Sequence, residues 1–372
     1  MTTLRVTLDE LAATPYGGMA RYAGELARGL IATAPADASV IGVVPASPQP
    51  DYDRILERLP GLADLEKNVL TGRDLAVTWR RGLARTSGTG MLHATSLLAP
   101  LGPHDRVHRA SDQVAVTIHD AIAWSHPELL PARTVSWTRA MGKRAERFAD
   151  AVVVPSHAVA EELAEHLDLG DRVRVIPGAP SSSLVPGREA RDRADELGLP
   201  ERYLLTVGGT EPKKNLRALL EALPATRAGL PLVVVSSDAD AVTALAAEAG
   251  VDPERVISLG PIADDELGIA YHRAHAYVQS SVAEGFGLAV VEALAFGLPI
   301  VHTDVAALDE VTAGAALSVP LGDDGLPGRL AEAIDAVDGD LAQRLSTAAG
   351  DRAQAFDWRD SAEKVWQLHA DL

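Results

Sequence analysis

Two glutamates in one short stretch of the sequence could bind the hydroxyl groups of a ligand. Glu284 lies in a small loop, Glu284–Gly287, whose glycines allow unusual backbone angles. In the apolar run that follows, Glu292 is the only charged residue, and Gly297 is a typical stop for a helix. A helix that is apolar on every face is normally buried, and a buried carboxylate needs hydrogen-bond donors. The donors for Glu292 are either protein groups, in a salt bridge or a cap, or the hydroxyls of a ligand.

The amino end of this helix is also suited to phosphate. Its first N–H groups have no partner inside the helix, and they lie at the positive end of the helix dipole. One carboxylate precedes the helix and the other lies two turns into it, so both can face the same end. Carboxylates for hydroxyls and a helix end for phosphate together predict a site for a nucleotide sugar.

The stretch Glu284-Gly285-Phe286-Gly287-Leu288, with Glu292, resembles the two-glutamate motif of retaining GT-B glycosyltransferases of family 4. The Gly-x-Pro-Ile-Val sequence that follows the helix adds to the resemblance. The family implies two Rossmann-like α/β/α domains with mainly parallel sheets and a cleft between them. It also implies transfer from a nucleotide diphosphate sugar with retention of anomeric configuration, without a metal or a cofactor.

The composition fits a protein with two domains. The chain has 372 residues, 47% of them hydrophobic, and no cysteine, which excludes disulfides and thiolate metal sites. The first residues lack the apolar run of a secretory signal, and no uncharged stretch could span a bilayer, so we expect a cytoplasmic protein. A net charge of −18 argues against nucleic-acid partners, and it leaves at most a weak peripheral association with membranes.

Strands alternate with helices along most of the chain, which predicts parallel sheets. From 46 to 112 the sequence is too irregular to divide into elements, except for one strand near 91–96. We expect strands near 4–8, 40–44, 91–96, 113–119, 151–155, 172–177, 203–207, 232–235, 256–259, 276–281, 300–303 and 316–320. We expect helices near 19–31, 139–149, 156–166, 215–225, 239–249, 264–274, 288–297 and 358–372.

The strand near 113–119 ends on two polar residues, His119 and Asp120. Ligands in open α/β sheets bind at the carboxyl ends of strands, where these side chains would lie. The Ile-His-Asp sequence, followed by His126-Pro127-Glu128, is similar to a family pattern, and this resemblance implies that His119 lies close to the transferred sugar. The alternative is a histidine that caps the strand end.

The first strand is broken at Thr14–Gly18, ahead of a helix. Family members often carry Gly-Gly-x-Gly-Arg-Tyr here, and this chain departs from that pattern at Ala20. The resemblance implies that Gly18 and Arg21 lie beside the donor phosphates. A plain turn between strand and helix is the alternative.

The loop from Gly208 to Asn215 opens the second half of the chain. It resembles the family's Val-Gly-x-x-Glu-Pro-Arg-Lys-Asn loop, which implies that Lys214 holds the donor diphosphate, with Gly208 and Lys213 beside it. The arginine that many relatives carry after the first glycine is Gly209 here, and lysine binds phosphate only as a point charge. An exposed lysine pair at a helix start is the alternative.

The resemblance places an acceptor-side domain in 1–180, a nucleotide-sugar-binding domain in 181–355 and a helix that crosses back in 356–372. It favours transfer of mannose or a related hexose to a glycan or lipid-linked acceptor, as in polysaccharide assembly. His119, Glu284 and Lys214 are the expected catalytic residues. The expected donor-binding residues are Gly18, Arg21, Gly208, Lys213, Lys214, Gly285, Phe286, Gly287, Leu288 and Glu292.

Two other functions remain open from the sequence. A catalytically degenerate subunit that only binds a nucleotide sugar would account for the departures at Ala20, Gly209, Ser280 and Ala289. A GT-B-fold nucleotide-sugar epimerase is the enzyme alternative. A phosphorylase would need a lysine in a pyridoxal-binding context, which the sequence does not offer.

Overall fold

The computed structural model describes residues 2–12, 17–83, 90–105, 108–109, 111–185, 190–322 and 324–372. The chain divides into two compact units. The first combines Met1–Gly178 with Asp357–Leu372, and the second is Ala179–Phe356. Each unit is built on one sheet, and every strand pair in the described residues is parallel. The α/β class with parallel sheets, predicted from the alternation of strands and helices, is confirmed.

The strands of the first unit are β1 Thr2–Thr7, β2 Ala38–Val44, β3 Asp64–Lys67, β4 Met91–Ala94, β5 Gln113–Thr117, β6 Ala151–Val154 and β7 Val173–Val175. They lie in the order β3-β2-β1-β4-β5-β6-β7. The chain builds outward from β1 to β3 and then crosses to β4, so the strand order reverses between β1 and β4. Carboxyl ends at such a reversal are where open α/β sheets bind their ligands.

The helices of the first half are α1 Gly18–Ala32, α2 Gln49–Arg58, α3 Gly72–Arg81, α4 Ile122–Ser125, α5 Ala132–Phe148 and α6 His157–Ala164. Helices α2 and α3 and strand β3 occupy the stretch that the sequence did not resolve. Each of these helices buries only two side chains, Tyr52 and Ile55 in α2 and Leu75 and Trp79 in α3. With so few apolar positions among many charges, neither helix shows a clear period in the sequence.

Helix α5 begins at Ala132, so the prediction of a start near residue 139 was wrong. Pro131 precedes its first turn, where a missing N–H costs nothing. The residues that are buried in α5, Met141, Gly142 and Ala145, all lie in its second half. The pattern of apolar residues therefore marked only the buried part of the helix.

The strands of the second unit are β8 Leu204–Val207, β9 Leu232–Val235, β10 Val256–Leu259, β11 Ala276–Gln279, β12 Ile300–Thr303 and β13 Leu317–Val319. Its helices are α7 Ala190–Glu196, α8 Leu216–Ala222, α9 Ala239–Glu248, α10 Asp264–Arg273, α11 Leu288–Ala295, α12 Ala306–Thr312, α13 Leu326–Ala336 and α14 Gly339–Ala353. The strand order is β10-β9-β8-β11-β12-β13, so this sheet reverses between β8 and β11.

Helix α11 is the buried helix expected after the first glutamate. Gly297 follows it with a φ of 64°, in the left-handed region. The N–H groups of Gly297 and Leu298 return to the carbonyls of Leu294 and Ala293 at 2.9 and 3.1 Å. The predicted glycine stop is confirmed, because these bonds satisfy carbonyls that the helix end leaves open.

The last helix, α15 Trp358–Asp371, belongs to the first unit. It packs on α1, where the rings of Tyr22 and Trp358 meet edge to face at 5.4 Å. A Cβ at Gly29 would lie 2.9 Å from the carbonyl oxygen of Trp358, so glycine permits the close approach. In the part of the chain that the structure describes, no helix is long and apolar enough to cross a membrane.

Candidate active site

Glu284 lies in the loop between β11 and α11, at the reversal point of the second sheet. Gly287 ends this loop with a φ of 83°, and a Cβ there would lie 2.5 Å from Leu308 Cδ2, so only glycine fits. The N–H groups of Leu288 and Ala289, at the start of α11, donate to no group that the structure describes. The helix therefore begins with open hydrogen-bond donors directly after the Glu284 loop.

The Glu284 carboxylate is held through one of its two oxygens. Oε1 accepts from Lys214 Nζ at 2.5 Å, from Ser281 Oγ at 2.8 Å and from Gln279 Nε2 at 3.0 Å. No described group donates to Oε2. The side chain is only 8% exposed. One oxygen is thus used to fix the carboxylate, and the other keeps its lone pairs for a ligand.

The electrostatics keep Glu284 ionised at neutral pH. Burial acts to raise the pKa of its carboxyl group. The charges of Lys214 and Lys213, with the hydrogen bonds from Lys214 and Ser281, outweigh that effect and lower the pKa below 4.5. The site therefore holds a carboxylate that accepts hydrogen bonds.

Contacts between two loops bring Lys214 onto Glu284. Asn215, with a φ of 47°, ends the short 3-10 turn that contains Lys214 and starts α8. Ser280 Oγ donates to the carbonyls of Lys214 and Asn215, both at 3.1 Å. The N–H of Val282 donates to the carbonyl of Lys213 at 2.8 Å. Because these bonds join the loop after β8 to the loop after β11, the lysine and the carboxylate are positioned together.

The glycines after β8 make room for charged side chains. A Cβ at Gly208, where φ is 148°, would lie 3.4 Å from Lys214 Cδ, so this glycine borders the lysine stem. A Cβ at Gly209 would lie 2.7 Å from an oxygen of Glu211. The Glu211 carboxylate therefore lies over the position where many relatives carry arginine.

A buried polar layer supports Glu284, and the sequence analysis missed it. Tyr277 Oη donates to Gln279 Oε1 at 2.5 Å, and Gln279 Nε2 also donates to Ser281 Oγ at 2.5 Å. All three residues are buried. Burial raises the pKa of Tyr277 well above 10, with a contribution from the charge of Glu284. The signal that could have revealed this layer is Gln279, a polar side chain in a strand that the sequence predicts to be buried.

The second glutamate of the motif is fully covered. Glu292 has no exposed surface, and Tyr271 Oη donates to its Oε2 at 2.9 Å. Its charge and that of Glu284 both act on Tyr277, so the two carboxylates lie near the same ring. Phe286 is half-buried in the loop before α11, and its ring meets Phe356 edge to face at 5.8 Å.

His119 follows β5 at its carboxyl end, in the first unit. Its Nε2 lies 2.7 Å from the carbonyl oxygen of Thr95, so this nitrogen carries the proton and donates. The rings of His119 and Tyr22 meet edge to face, with their centroids 4.7 Å apart. These contacts fix the orientation of the imidazole.

A cavity of about 950 Å³ opens beside His119, entirely within the first unit. Asp9 and Glu10, which follow β1, and Asp120 also line it. Burial and the charge of Glu10 raise the pKa of Asp9 to about 8, so Asp9 is largely protonated at neutral pH. Neither carboxyl group was predicted from the sequence, although both follow the first strand directly.

Gly18 is exposed at the start of α1, and Arg21 is half-buried on its first turn. Met19, between them, lines the cavity. The predicted break at Thr14–Gly18 lies partly outside the described residues. In the second unit the structure brings together four predicted residues, Gly208, Lys213, Lys214 and Glu284, and the charge of Glu292 acts on the same tyrosine as that of Glu284. The other predicted residues, His119, Gly18 and Arg21, belong to the first unit.

The described residues contain no group of three or more His, Asp or Glu side chains that could hold a metal ion. The positive groups beside Glu284 are Lys213 and Lys214.

Comparison with known proteins relates both halves of the chain to one class. A sequence profile described as Glycosyltransferase Family 4 matches residues 16–179, and one described as Glycosyl transferases group 1 matches residues 201–339. O-antigen chain mannosyltransferase B of Escherichia coli is 28% identical over 272 residues, which cover 69% of this chain and 70% of that protein. D-inositol 3-phosphate glycosyltransferase of Mycolicibacterium smegmatis is 32% identical over 273 residues, 70% of this chain and 58% of that protein.

The fold has close counterparts among solved structures. HepE of Anabaena, in complex with UDP-glucose, superimposes with a TM-score of 0.74 over 100% of both chains, at 17% sequence identity. Two parallel-sheet α/β units, the two matching profiles and this superposition agree with one another. The chain therefore belongs to the glycosyltransferases of the family 4 and group 1 type, which have the GT-B fold.

Proposed function

We propose that this glycosyltransferase moves mannose or a related hexose from a nucleotide diphosphate sugar to a glycan or lipid-linked acceptor, with retention of anomeric configuration. The mannosyltransferase among the relatives supports the choice of sugar. The complex of HepE with UDP-glucose supports a nucleotide sugar as donor.

The observation that carries the proposal is the one-sided coordination of Glu284. Three donors hold Oε1, and Oε2 is left open beside the start of α11. In our proposal Oε2 accepts hydrogen bonds from hydroxyls of the transferred sugar. Such a contact is strong because the acceptor is ionised and cannot rotate away.

Lys214 and the start of α11 would bind the diphosphate. An ammonium group has three donors, and Glu284 uses one of them, so Lys214 can contact a phosphate without leaving the carboxylate. The open N–H groups of Leu288 and Ala289 add to the positive potential of the helix end. Charge on the leaving diphosphate grows as the glycosidic bond breaks, and these groups would stabilise it. The chain's own positive groups then perform the task that a metal ion has in other transferases, and we propose a metal-independent reaction.

The remaining donor contacts follow the family motif. Glu292 would accept hydrogen bonds from the ribose hydroxyls, which requires that its covered carboxylate become accessible when the nucleotide binds. Gly208, Lys213 and the amides of Gly285–Gly287 would border the diphosphate.

We assign the acceptor to the first unit and the nucleotide sugar to the second. In the first unit His119 would lie beside the reacting carbon, with its imidazole oriented by Thr95 and Tyr22. Gly18 and Arg21, at the start of α1, would approach the donor phosphates. The last helix, in 356–372, completes the first unit.

A panel of nucleotide sugars tests the proposal. Thermal shifts with GDP-mannose, UDP-glucose and related donors should identify one base and one sugar that raise the melting temperature. Slow hydrolysis of that donor without an acceptor should follow, and NMR should show that the released sugar first has the donor's anomeric configuration. Addition of EDTA should leave the rate unchanged. Tight donor binding without any hydrolysis or transfer would instead identify a binding subunit, and inversion would refute retention.

A further inference from the structure

We propose that the cavity of the first unit binds an amphipathic acceptor through a phosphate group, held by arginines of α3 and α5. This inference rests on the proposed function, because it names the chemical class of the molecule that receives the sugar. The cavity is the one beside His119, and its residues all belong to the first unit.

Four arginines line this cavity on its helical side. Arg73 and Arg80 lie seven residues apart on α3, so two full turns place them on one face of the helix. Arg81 follows directly, and Arg133 lies in the first turn of α5. The four arginines therefore line one cavity although they come from two helices.

Two hydrogen bonds join these helices into one wall. Trp137 Nε1 donates to the carbonyl of Ala76 at 3.1 Å, and Arg80 Nη2 donates to Ser136 Oγ at 2.9 Å. Both bonds run from one helix to the other. The two helices that carry the arginines are thus held at a fixed spacing, as an anion site requires.

The fold does not use the side-chain charges of three of these arginines. Within the described ranges, the side chains of Arg73, Arg81 and Arg133 take part in no ion pair or hydrogen bond, and all three residues are exposed. Other arginines of the same unit behave differently: Arg172, for example, donates to the carbonyls of Ala149 and Glu146. In a chain with a net charge of −18, four arginines around one cavity are an unusual local excess.

The carboxyl groups of the cavity do not cancel this excess. They are Asp9 and Glu10, which follow β1, and Asp120, which follows β5. Burial raises the pKa of Asp9 and of Glu10, and Asp9 is largely neutral near pH 7. At most two carboxylates, those of Glu10 and Asp120, therefore stand against four arginines, and guanidinium groups bind phosphate oxygens in pairs.

The rest of the lining is apolar, which points to an acceptor with a hydrophobic part. Met19 and Val77 are 49% and 47% exposed, and both line the cavity. Leu97, Ile118 and Trp137 also line it. A simple sugar phosphate would leave Met19 and Val77 in water, whereas a phosphate attached to an alkyl or prenyl chain would cover them.

The polar side of the cavity gives the acceptor a direction. Oδ1 of Asp9 is buried and has no hydrogen-bond partner among the described residues. His119 also lines the cavity, and both residues follow the carboxyl ends of strands in the same parallel sheet. A hydroxyl of the acceptor placed here would satisfy Asp9 and lie next to the residue assigned to the reacting carbon. The phosphate then contacts the helices and the nucleophilic hydroxyl contacts the strand ends.

Calorimetric titration with three probes tests the proposal on the full chain, with saturating nucleoside diphosphate present to occupy the donor site. Octyl phosphate carries both features, octyl glucoside lacks the phosphate, and sn-glycerol 3-phosphate lacks the chain. We expect octyl phosphate to bind at least about tenfold more tightly than octyl glucoside. Tighter binding of octyl phosphate than of glycerol 3-phosphate supports a lipid phosphate, and the reverse order would refute the amphipathic acceptor in favour of a soluble phosphorylated one.

Substitutions locate the site. The double variant Arg73→Ala/Arg133→Ala should lose octyl phosphate affinity about tenfold or more. Arg147→Ala is the matched control, since this exposed arginine lies on α5 outside the cavity and should change affinity less than about twofold. Melting temperatures confirm that each variant is folded, and Arg73→Lys/Arg133→Lys should recover part of the affinity.

Equal binding of octyl phosphate and octyl glucoside, or equal loss in Arg147→Ala and the double variant, would overturn the phosphate assignment. That failure differs from failure of the proposed function, which would appear as no binding of any nucleoside diphosphate in the same titrations.

Discussion

Lys214→Ala removes the counter-ion of a buried carboxylate, and its effect on stability can be estimated from the structure. The ammonium and carboxylate groups lie 2.5 Å apart, with side chains 22% and 8% exposed. Breaking a fully buried pair costs about 3–5 kcal/mol, and an exposed pair contributes about 0–1 kcal/mol. With one partner covered and the other partly hydrated, we expect a loss of about 2 kcal/mol in the free energy of unfolding near pH 7.

The loss should depend on pH in a defined direction. In the native chain the pKa of Glu284 is lowered below 4.5, so its contribution is present above that pH and disappears as the pH falls through the folded-state pKa. In Lys214→Ala, burial dominates and raises the pKa of Glu284 above the unfolded value. Its cost then grows as the pH rises from the unfolded-state pKa to the new folded-state pKa and stays constant above it. The two proteins should therefore differ most near neutral pH and least below about pH 4.

Urea unfolding near pH 7 and near pH 4 measures both free energies. Glu284→Gln and the double variant complete a thermodynamic cycle, and the coupling free energy should equal most of the single loss. In Lys214→Ala we expect a larger loss of turnover than of donor affinity, because the diphosphate gains charge in the transition state. Lys213→Ala, with the same change of charge one residue away, serves as the control and should lose less turnover. A pH-independent loss of stability, or additive single variants, would show that the pair does not act as described.

Three further predictions concern groups beneath and beside the two sites. Glu292→Gln should weaken binding of the nucleoside diphosphate by about 1.5–3 kcal/mol with little change in melting temperature; unchanged affinity with a lower melting temperature would restrict Glu292 to its bond with Tyr271. Burial, with a smaller effect of His369, lowers the pKa of His93 to about 3, so this histidine costs stability as the pH falls below 6.5. Between about pH 7 and 5 the free energy of unfolding should fall by about 2 kcal/mol for this reason, and urea unfolding of His93→Gln should not show that fall. If the free energy of unfolding depends on pH equally in both proteins, His93 is not buried as a neutral imidazole. The pKa of Asp9 is raised from 3.8 to about 8, so this buried acid costs stability that grows as the pH rises from about 4 to about 8. Asp9→Asn should therefore gain melting temperature relative to the native chain as the pH rises from about 4 to about 8; an equal difference in melting temperature at the two pH values would show that the carboxyl group is not buried as a neutral acid.

Local pattern was sufficient to predict the class of fold and the second-unit loops. Strands such as β9 and β12 are short runs of apolar residues with defined ends, and their bounds agree with the prediction. Gly297 was recognisable as a helix stop because its left-handed φ is a property of the residue and its neighbours. Glu284 and Lys214 could be singled out because each follows a strand in a loop of distinctive composition. Helices α2 and α3 could not be placed, because two buried side chains in each give too weak a period.

Only the tertiary structure shows which groups meet. Gln279 and Tyr277 support Glu284 because β11 turns their side chains toward the same buried layer. The arginines of α3 and α5 lie far apart in the sequence, and the packing of the two helices brings them to one cavity. Asp9 and His119 become neighbours of that cavity because β1, β4 and β5 are adjacent in the sheet. Contacts of this kind depend on strand order and helix packing, which are set by burial over the whole unit, whereas the sequence by itself determines the local conformations that those contacts join.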